Sequence, residues 1–435
     1  MFREAINQLI AWKRSAYKKP LIIHGARQVG KTWLMKEFGQ KYYQHCAYIN
    51  FDNNSRMNDL FSGSLDTNHL IKGLQIETGQ IIRADNTLLI FDEVQEVPRA
   101  LTSLKYFNEN APQYDILCAG SLLGITLHSG TSFPVGKVDF MDLPPLTFLE
   151  FLRAVKKEQF AQLLETQDFS MIKSFKEPLI QLLKEYLYVG GMPEVVDRYA
   201  KNVDPNEVRL IQNSILEAYE QDFSKHAPAD IVPRLRLLWR SIPKQLAREN
   251  RKFVYGLIRQ GARAREYELA LMWLQDAGLI RRVNRIEKPG IPLSAYQDFS
   301  AFKVYFVDTG LLGAMSQLDP KVLLEENQFF TEFKGALTEQ YVLQELQAIK
   351  NLHSYYWTAQ NAMAEVDFVF QWNSHILPLE VKASENLQSK SLKSYVQKYS
   401  CKKALRTSLS SYRDEGWLIN IPLYAISQLP KIIGE

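Results

Sequence analysis

Cysteine, net charge and long apolar runs are all scarce in this sequence. Cys46, Cys118 and Cys401 are the only cysteines and lie far apart. That spacing excludes a disulfide framework and a CxxC metal site, and fits a reducing compartment. The formal net charge is +4 across 435 residues, so bulk charge selects no partner class. No apolar stretch reaches the roughly 20 residues that a membrane-spanning helix needs. Met1 to Lys19 carries Arg3, Glu4, Lys13 and Arg14 without an apolar core, and does not read as a signal peptide. No repeat or low-complexity tract is visible. The expectation is a cytoplasmic protein that contacts no membrane and is folded throughout. Apolar residues make up 46% and charged residues 23% of the chain, enough to bury large cores. The length suggests two to four domains.

Pro20 to Gly25 reads as a short buried strand ending in glycine. It enters Gly25, Ala26, Arg27, Gln28, Val29, Gly30, Lys31 and Thr32, and Trp33 to Phe38 then reads as helix. This is GxxxxGKT in its strand–loop–helix setting. The glycines let backbone N–H groups curl around phosphate, and the helix N-terminus adds positive potential. Lys31 is placed to reach the β- and γ-phosphates of ATP, and the Thr32 hydroxyl to ligate Mg²⁺. His24, just before the loop, reads as a packing or capping residue. Arg27 is left open between a phosphate contact and a contact to a neighbouring domain.

Thr87 to Phe91 is an apolar run of strand length ending in Asp92 and Glu93. Asp92 is expected to help hold Mg²⁺, and Glu93 to polarise the attacking water. Between the loop and this strand, Cys46 to Phe51 reads as a further strand. After it, Tyr114 to Ala119 reads as another, running into Gly120 and Ser121. The inserted strand, the adjacent glutamate and the polar strand end point to the additional-strand, catalytic-glutamate class of P-loop ATPases. Ser121 is the candidate sensor of the γ-phosphate; the plain alternative is a turn serine.

The middle of the chain is locally basic. Between Ile231 and Gly290 there are 14 Lys and Arg against 5 Asp and Glu, which makes nucleic acid a candidate partner. Asn206 to Gln317 reads as mostly helical. Ala262 to Gly278 has helical apolar spacing at Tyr267, Ala270, Leu271 and Leu274, with Gly278 as the stop. Leu279 to Val283 and Lys303 to Val307 then read as paired strands, which makes a winged helix-turn-helix plausible. Arg263, Arg265, Arg281, Arg282 and Arg285 either neutralise DNA phosphates or form a solvated face of a packing module.

Near the C-terminus, Gly335 to Leu346 reads as an amphipathic helix carrying Glu339. Ala364 to Phe370 and Ile376 to Lys382 read as strands, with Asp367 13 positions before Glu380 and Lys382 two beyond it. Two-residue spacing in a strand puts Glu380 and Lys382 on one face. This is the D…ExK order of the PD-(D/E)XK nucleases. Asp367 and Glu380 offer hard oxygen ligands, Lys382 can orient water, and Glu339 can add a ligand. The competing reading is a related fold whose charged face binds without cutting. Ser384, Gln388, Lys390 and Lys393 line either a nucleic-acid groove or a solvated helix face.

The motifs together resemble a prokaryotic AAA-type P-loop ATPase family with a C-terminal nuclease-like domain of unknown function. The resemblance rests on Gly25–Thr32, Leu89–Gln95, Ala119–Ser121, Leu143–Phe151, Tyr188–Glu194, Val307–Leu311, Glu365–Phe368 and Leu379–Lys382. It implies a parallel α/β P-loop core at 1–150, a helical lid at 151–204 ending near Gly190 and Gly191, a winged helix at 205–317 and a restriction-endonuclease-like α/β domain at 325–435. The two glycines are read as serving a backbone turn rather than chemistry. The family often has Gly-Arg where this chain has Gly136 and Lys137. Lysine keeps the charge but lacks the planar fork that clamps phosphate. The expected function is an ATPase that couples its nucleotide state to a region acting on DNA or other nucleic acid. The alternative is a switch whose C-terminal domains bind without cleaving. Oligomeric state is not readable from the sequence.

Overall fold

The computed structural model describes residues 1–120, 134–201, 204–248, 252–324, 331–359, 364–385 and 388–434. The chain forms two compact units. One comprises Arg3–Leu143 together with Asp276–Leu279; the other comprises Met1–Phe2, Pro144–Gln275 and Ile280–Glu435.

The first unit is built on a five-stranded sheet of β1 (Leu21–His24), β2 (His45–Asn50), β3 (Thr87–Asp92), β4 (Asp115–Ala119) and β5 (Asp139–Asp142). The strand order is β2-β3-β4-β1-β5, and every pairing is parallel. β3 and β4 are buried along their whole length, which explains why both read as continuous apolar runs. The strand interposed between β1 and β3 is β4, whereas β2 lies at the sheet edge. β4 therefore holds the interposed place that the sequence order offered to β2. Phe51, Phe61, Phe91 and Phe107 meet largely edge to face in the core. Burying each such ring is worth about 1.5–3 kcal/mol.

The second unit holds an eight-stranded mixed sheet of order β12-β13-β11-β10-β9-β8-β6-β7. Its strands are β6 (Ile280–Ile286), β7 (Gln297–Phe306), β8 (Ser354–Thr358), β9 (Glu365–Trp372), β10 (His375–Val381), β11 (Ala404–Ser408), β12 (Arg413–Asp414) and β13 (Leu418–Pro422). The hairpin expected as a wing is β6–β7, and it does not stand apart. β6 pairs in parallel with β8 at Arg285–Tyr356 and Ile286–Trp357, so the hairpin continues the C-terminal sheet. Arg282 donates to Asn284 and to the Phe299 carbonyl and lies over the Phe302 ring, while Arg285 pairs with Asp298. These two arginines are occupied within the hairpin.

The helix Thr331–Gln347 anchors this unit. It was expected to be amphipathic, yet Thr338, Glu339, Gln340, Gln344 and Glu345 are all buried. They tolerate burial because they serve backbone and side-chain partners. Gln340 accepts from Phe306 N–H and donates to the Phe306 carbonyl, closing that residue's backbone pair. Gln344 accepts from Thr309 N–H, and Glu345 accepts from Phe148 N–H at 2.8 Å.

Several of the family-like motifs meet around this helix. Thr147 and Glu150 form a capping box that starts the helix Phe148–Ala154. The Asp308 carboxylate accepts from Gly191 N–H at 2.6 Å and Leu311 N–H at 3.0 Å. A methyl group on Gly190 would lie 2.2 Å from Asp308 Oδ1, and one on Gly191 would lie 2.2 Å from the Leu146 carbonyl oxygen. The Asp308 carboxylate packed against Gly190 and the Leu146 backbone packed against Gly191 therefore require both glycines.

Candidate functional site

β1 ends at His24, and the loop that follows carries Gly25, Gln28 and Gly30 at positive φ. This curl is what turns successive N–H groups inward to form an anion-binding concavity. Gly30 caps the helix Lys31–Tyr42, whose N-terminus completes that concavity. Ala26 and Val29 are buried and fix the loop to the core, while Arg27 and Gln28 face solvent. Arg3 steadies the far side by donating to the Val29 carbonyl at 3.3 Å.

Lys31 is buried, and its ammonium donates to the Gly25 and Ala26 carbonyls at 2.8 and 2.9 Å. Burial pushes its pKa down to about 8, against the opposing pull of Glu93 and Asp92. The Thr32 hydroxyl donates to Asp92 Oδ2 at 2.8 Å. Asp92 Oδ1 accepts from Glu93 N–H at 3.2 Å. Glu93 adopts a left-handed backbone just past β3, and its carboxylate accepts from Gln95 at 2.7 Å. The loop lysine, the hydroxyl and the two strand-end acids thus stand together at one end of β1 and β3.

Tyr48 is a member of this group that the sequence did not single out. Its hydroxyl donates to the same Asp92 oxygen at 2.9 Å, and Lys36 lies over its ring at 3.6 Å. Burial, with Asp92 close by, pushes its pKa well above the ordinary tyrosine range. The signal was present as alternation on β2, which places Tyr48 and Asn50 on one face, but only the sheet pairing brings β2 against β3. His24 packs against Phe140, as expected of a packing residue. Lys137 pairs with Glu109 at 2.8 Å. Ser121 lies outside the described residues.

The comparisons with known proteins bear on this site directly. A family model described as an AAA domain matches residues 17–152. This part of the chain is an AAA-type P-loop domain. Residues 180–322 match a domain of unknown function (DUF8612), and residues 334–424 match another (DUF4143). No curated protein matches the chain. Among solved structures, similarity is found to a Walker-type ATPase of Pyrococcus abyssi. It is 14% identical with a TM-score of 0.45, covering 72% of this chain and 95% of that one. Similarity is also found to the Aeropyrum pernix ORC1 protein in complex with DNA. That match is 12% identical with a TM-score of 0.29, covering 73% and 93%. The Thermotoga maritima RuvB Holliday junction branch migration motor is 14% identical with a TM-score of 0.26, covering 65% and 90%. No helix among the described residues is long and apolar enough to cross a membrane.

The C-terminal acids are arranged differently from the expectation. Glu339 is buried and paired with the fully buried Lys303 at 3.0 Å, and Tyr305 donates to it as well. Lys303 also reaches Glu365 at 2.5 Å. Asp367 accepts from Val381 N–H at 2.8 Å, and Glu380 pairs with Lys382 at 2.7 Å. Among the described residues no group of three His, Cys, Asp or Glu is gathered to hold a metal. The structure does keep Asp367 on β9 and Glu380 on the adjacent β10, with Lys382 just past the end of β10, and Glu380 Oε2 is buried without a hydrogen-bond partner among the described residues. Opposite Glu380 on β11 stands the buried Arg406, which the sequence reading missed. Burial lowers its pKa, and Glu415 and Glu380 oppose that shift. Nothing local in Ala404–Ser408 marks this arginine; only the β10–β11 register does.

Proposed function

We propose that this protein binds ATP with Mg²⁺ through Gly25–Thr32, hydrolyses it with Glu93 as the water-polarising base, and uses the nucleotide state to control its C-terminal region. The observation that carries this reading is the convergence of Lys31, Thr32, Asp92 and Glu93 at one end of the sheet. The Thr32 hydroxyl and the Asp92 carboxylate are hard oxygen donors 2.8 Å apart, a donor set that suits Mg²⁺. Held there, the ion would offset charge on the phosphates. The chain's own part is positional. Inward N–H groups would orient the phosphates, Lys31 would exchange its two carbonyls for phosphate oxygens, and Glu93, hydrogen-bonded by Gln95, would polarise the attacking water.

For the C-terminal region we infer action on nucleic acid by binding rather than cutting. Each candidate acid already has a partner: Glu339 has Lys303, Asp367 has Val381 N–H, and Glu380 has Lys382. The locally basic stretch from Ile231 to Gly290 supports nucleic acid as the partner. Cleavage is the second reading, favoured by the unpaired Oε2 of Glu380. The helical lid, the winged helix and the nuclease-like fold belong to the same proposal.

Two measurements on the full chain test this. MgADP should bind the wild type and bind Lys31→Ala at least tenfold more weakly, a loss of about 1.4 kcal/mol. DNA and RNA should be retained at low salt and left uncut in Mg²⁺ by wild type. Cutting that disappears in Glu380→Ala would replace binding with the nuclease reading. No binding of any nucleic acid at low salt would leave a protein-binding switch.

A further inference from the structure

Asp276–Leu279 belongs to the same compact unit as the phosphate loop, although about 240 residues separate the two in sequence. Within it Ala277 and Leu279 are buried, each 3% exposed. Between them Gly278 has φ +73°, as a residue closing a helix often does. Helix closure explains that angle but not the residue's surroundings. A methyl group on Gly278 would lie 3.0 Å from Ala26 N and 3.4 Å from both Ala26 Cα and Gly25 C. The turn is therefore seated on the backbone of the loop's first peptide.

The same peptide is confined elsewhere. A methyl group on Gly25 would meet the Leu143 carbonyl oxygen at 2.5 Å. Lys31 donates to the carbonyls of both Gly25 and Ala26. If the ammonium moves to phosphate, these two carbonyls, which belong to the Gly25–Ala26 and Ala26–Arg27 peptides, lose that donor, so the bonding around Gly25 and Ala26 changes with occupancy. Gly278 touches that part of the loop. In sequence it joins the helix Ala264–Asp276 to β6, the start of the second unit's sheet.

We propose that the Ala277–Gly278–Leu279 turn is a positioning element for the phosphate loop, holding the Gly25–Ala26 peptide for nucleotide and rearranging when Lys31 leaves it. This rests on the nucleotide-binding reading above. Gly278 acts through the loop and touches no substrate. Its lack of a side chain is needed because an added Cβ would displace the Ala26 peptide by a few tenths of an ångström. Small displacements of positioned groups are costly to binding and turnover.

The test uses the full chain and a matched control. Gly79 has φ +64° with nothing within 4 Å of an added Cβ, so Gly79→Ala carries the backbone penalty without the contact. MgADP affinity, read by calorimetry, should be weakened about tenfold in Gly278→Ala relative to Gly79→Ala. In the wild type, hydrogen exchange at the Gly278 and Leu279 amides should change when MgADP is added. The wild-type exchange measurement stands even where Gly278→Ala fails to fold. Equal affinities in the two variants, or unchanged exchange in a wild type that binds MgADP, overturn the proposal alone. A wild type that binds no MgADP overturns the nucleotide reading and this inference together.

Discussion

The Thr32 hydroxyl and the Tyr48 hydroxyl converge on one oxygen, Asp92 Oδ2, at 2.8 and 2.9 Å. Thr32 comes from the phosphate loop and Tyr48 from the edge strand, so the carboxylate is oriented from two elements. Removing the Tyr48 hydroxyl leaves Asp92 with one fewer orienting bond. Hydrogen bonds to charged groups contribute about 1.5–3 kcal/mol when buried, and Tyr48 is only half-buried, so about 1 kcal/mol applies. Tyr48→Phe should therefore raise the Mg²⁺ concentration for half-maximal ATP turnover roughly fivefold, with little change in melting temperature. An unchanged Mg²⁺ requirement would remove Tyr48 from the site.

Lys303 and Glu339 form a salt bridge with exposures of 0% and 1%, which sets its energetics. Breaking a pair this deep strands a charge and costs about 3–5 kcal/mol, whereas replacing both partners with apolar residues costs far less. Lys303→Met should lower the urea midpoint of the unit containing Trp239 and Trp357, followed by tryptophan fluorescence. Lys303→Met combined with Glu339→Leu should recover part of that loss, because the 25% exposed Glu365 loses Lys303 in both variants. If the double variant is as unstable as the single one, Glu339 is not held chiefly by Lys303.

Asp308 is fully buried, and burial raises its pKa while N–H donors from Gly191 and Leu311 oppose the shift. Asn at this position presents an NH₂ group where a carboxylate oxygen accepted. Asp308→Asn should therefore destabilise the unit by about 2 kcal/mol near neutral pH. The pH dependence has a definite sign. Above the ordinary value of 3.8, the folded chain holds a proton that the unfolded chain has released, so wild-type stability falls as pH rises through that window. The variant lacks this slope, so its deficit should be larger at pH 4 than at pH 7. A deficit that grows with pH would contradict the assigned direction.

Features fixed by local chemistry were readable without coordinates. The strand–GxxxxGKT–helix order, the apolar run ending at Asp92 and Glu93, and the helical spacing up to Gly278 all depend on neighbours in sequence. Features that depend on which strands and helices meet were not readable. Tyr48 and Arg406 acquire their places through strand register, with Tyr48 beside β3 and Arg406 opposite Glu380. The helix Thr331–Gln347 looked half-polar because its glutamines and glutamates bond to groups as distant in sequence as Phe148. The β6–β7 hairpin carried the local signature of a wing, and its parallel pairing with β8 has no local signature at all. Lys303, whose Nζ lies between Glu339 and Glu365, looked like an ordinary strand residue until its partners were seen.

The central claim is that Glu93 drives hydrolysis at a site assembled by Lys31, Thr32 and Asp92. Phosphate release from MgATP by the full chain, in wild type and Glu93→Gln, tests it most directly. General-base assistance is worth about 10²–10⁴-fold, so the variant should lose turnover by at least a hundredfold while its MgADP affinity stays within about threefold of wild type. Turnover that survives in Glu93→Gln, measured in a variant that still binds MgADP, would contradict the account.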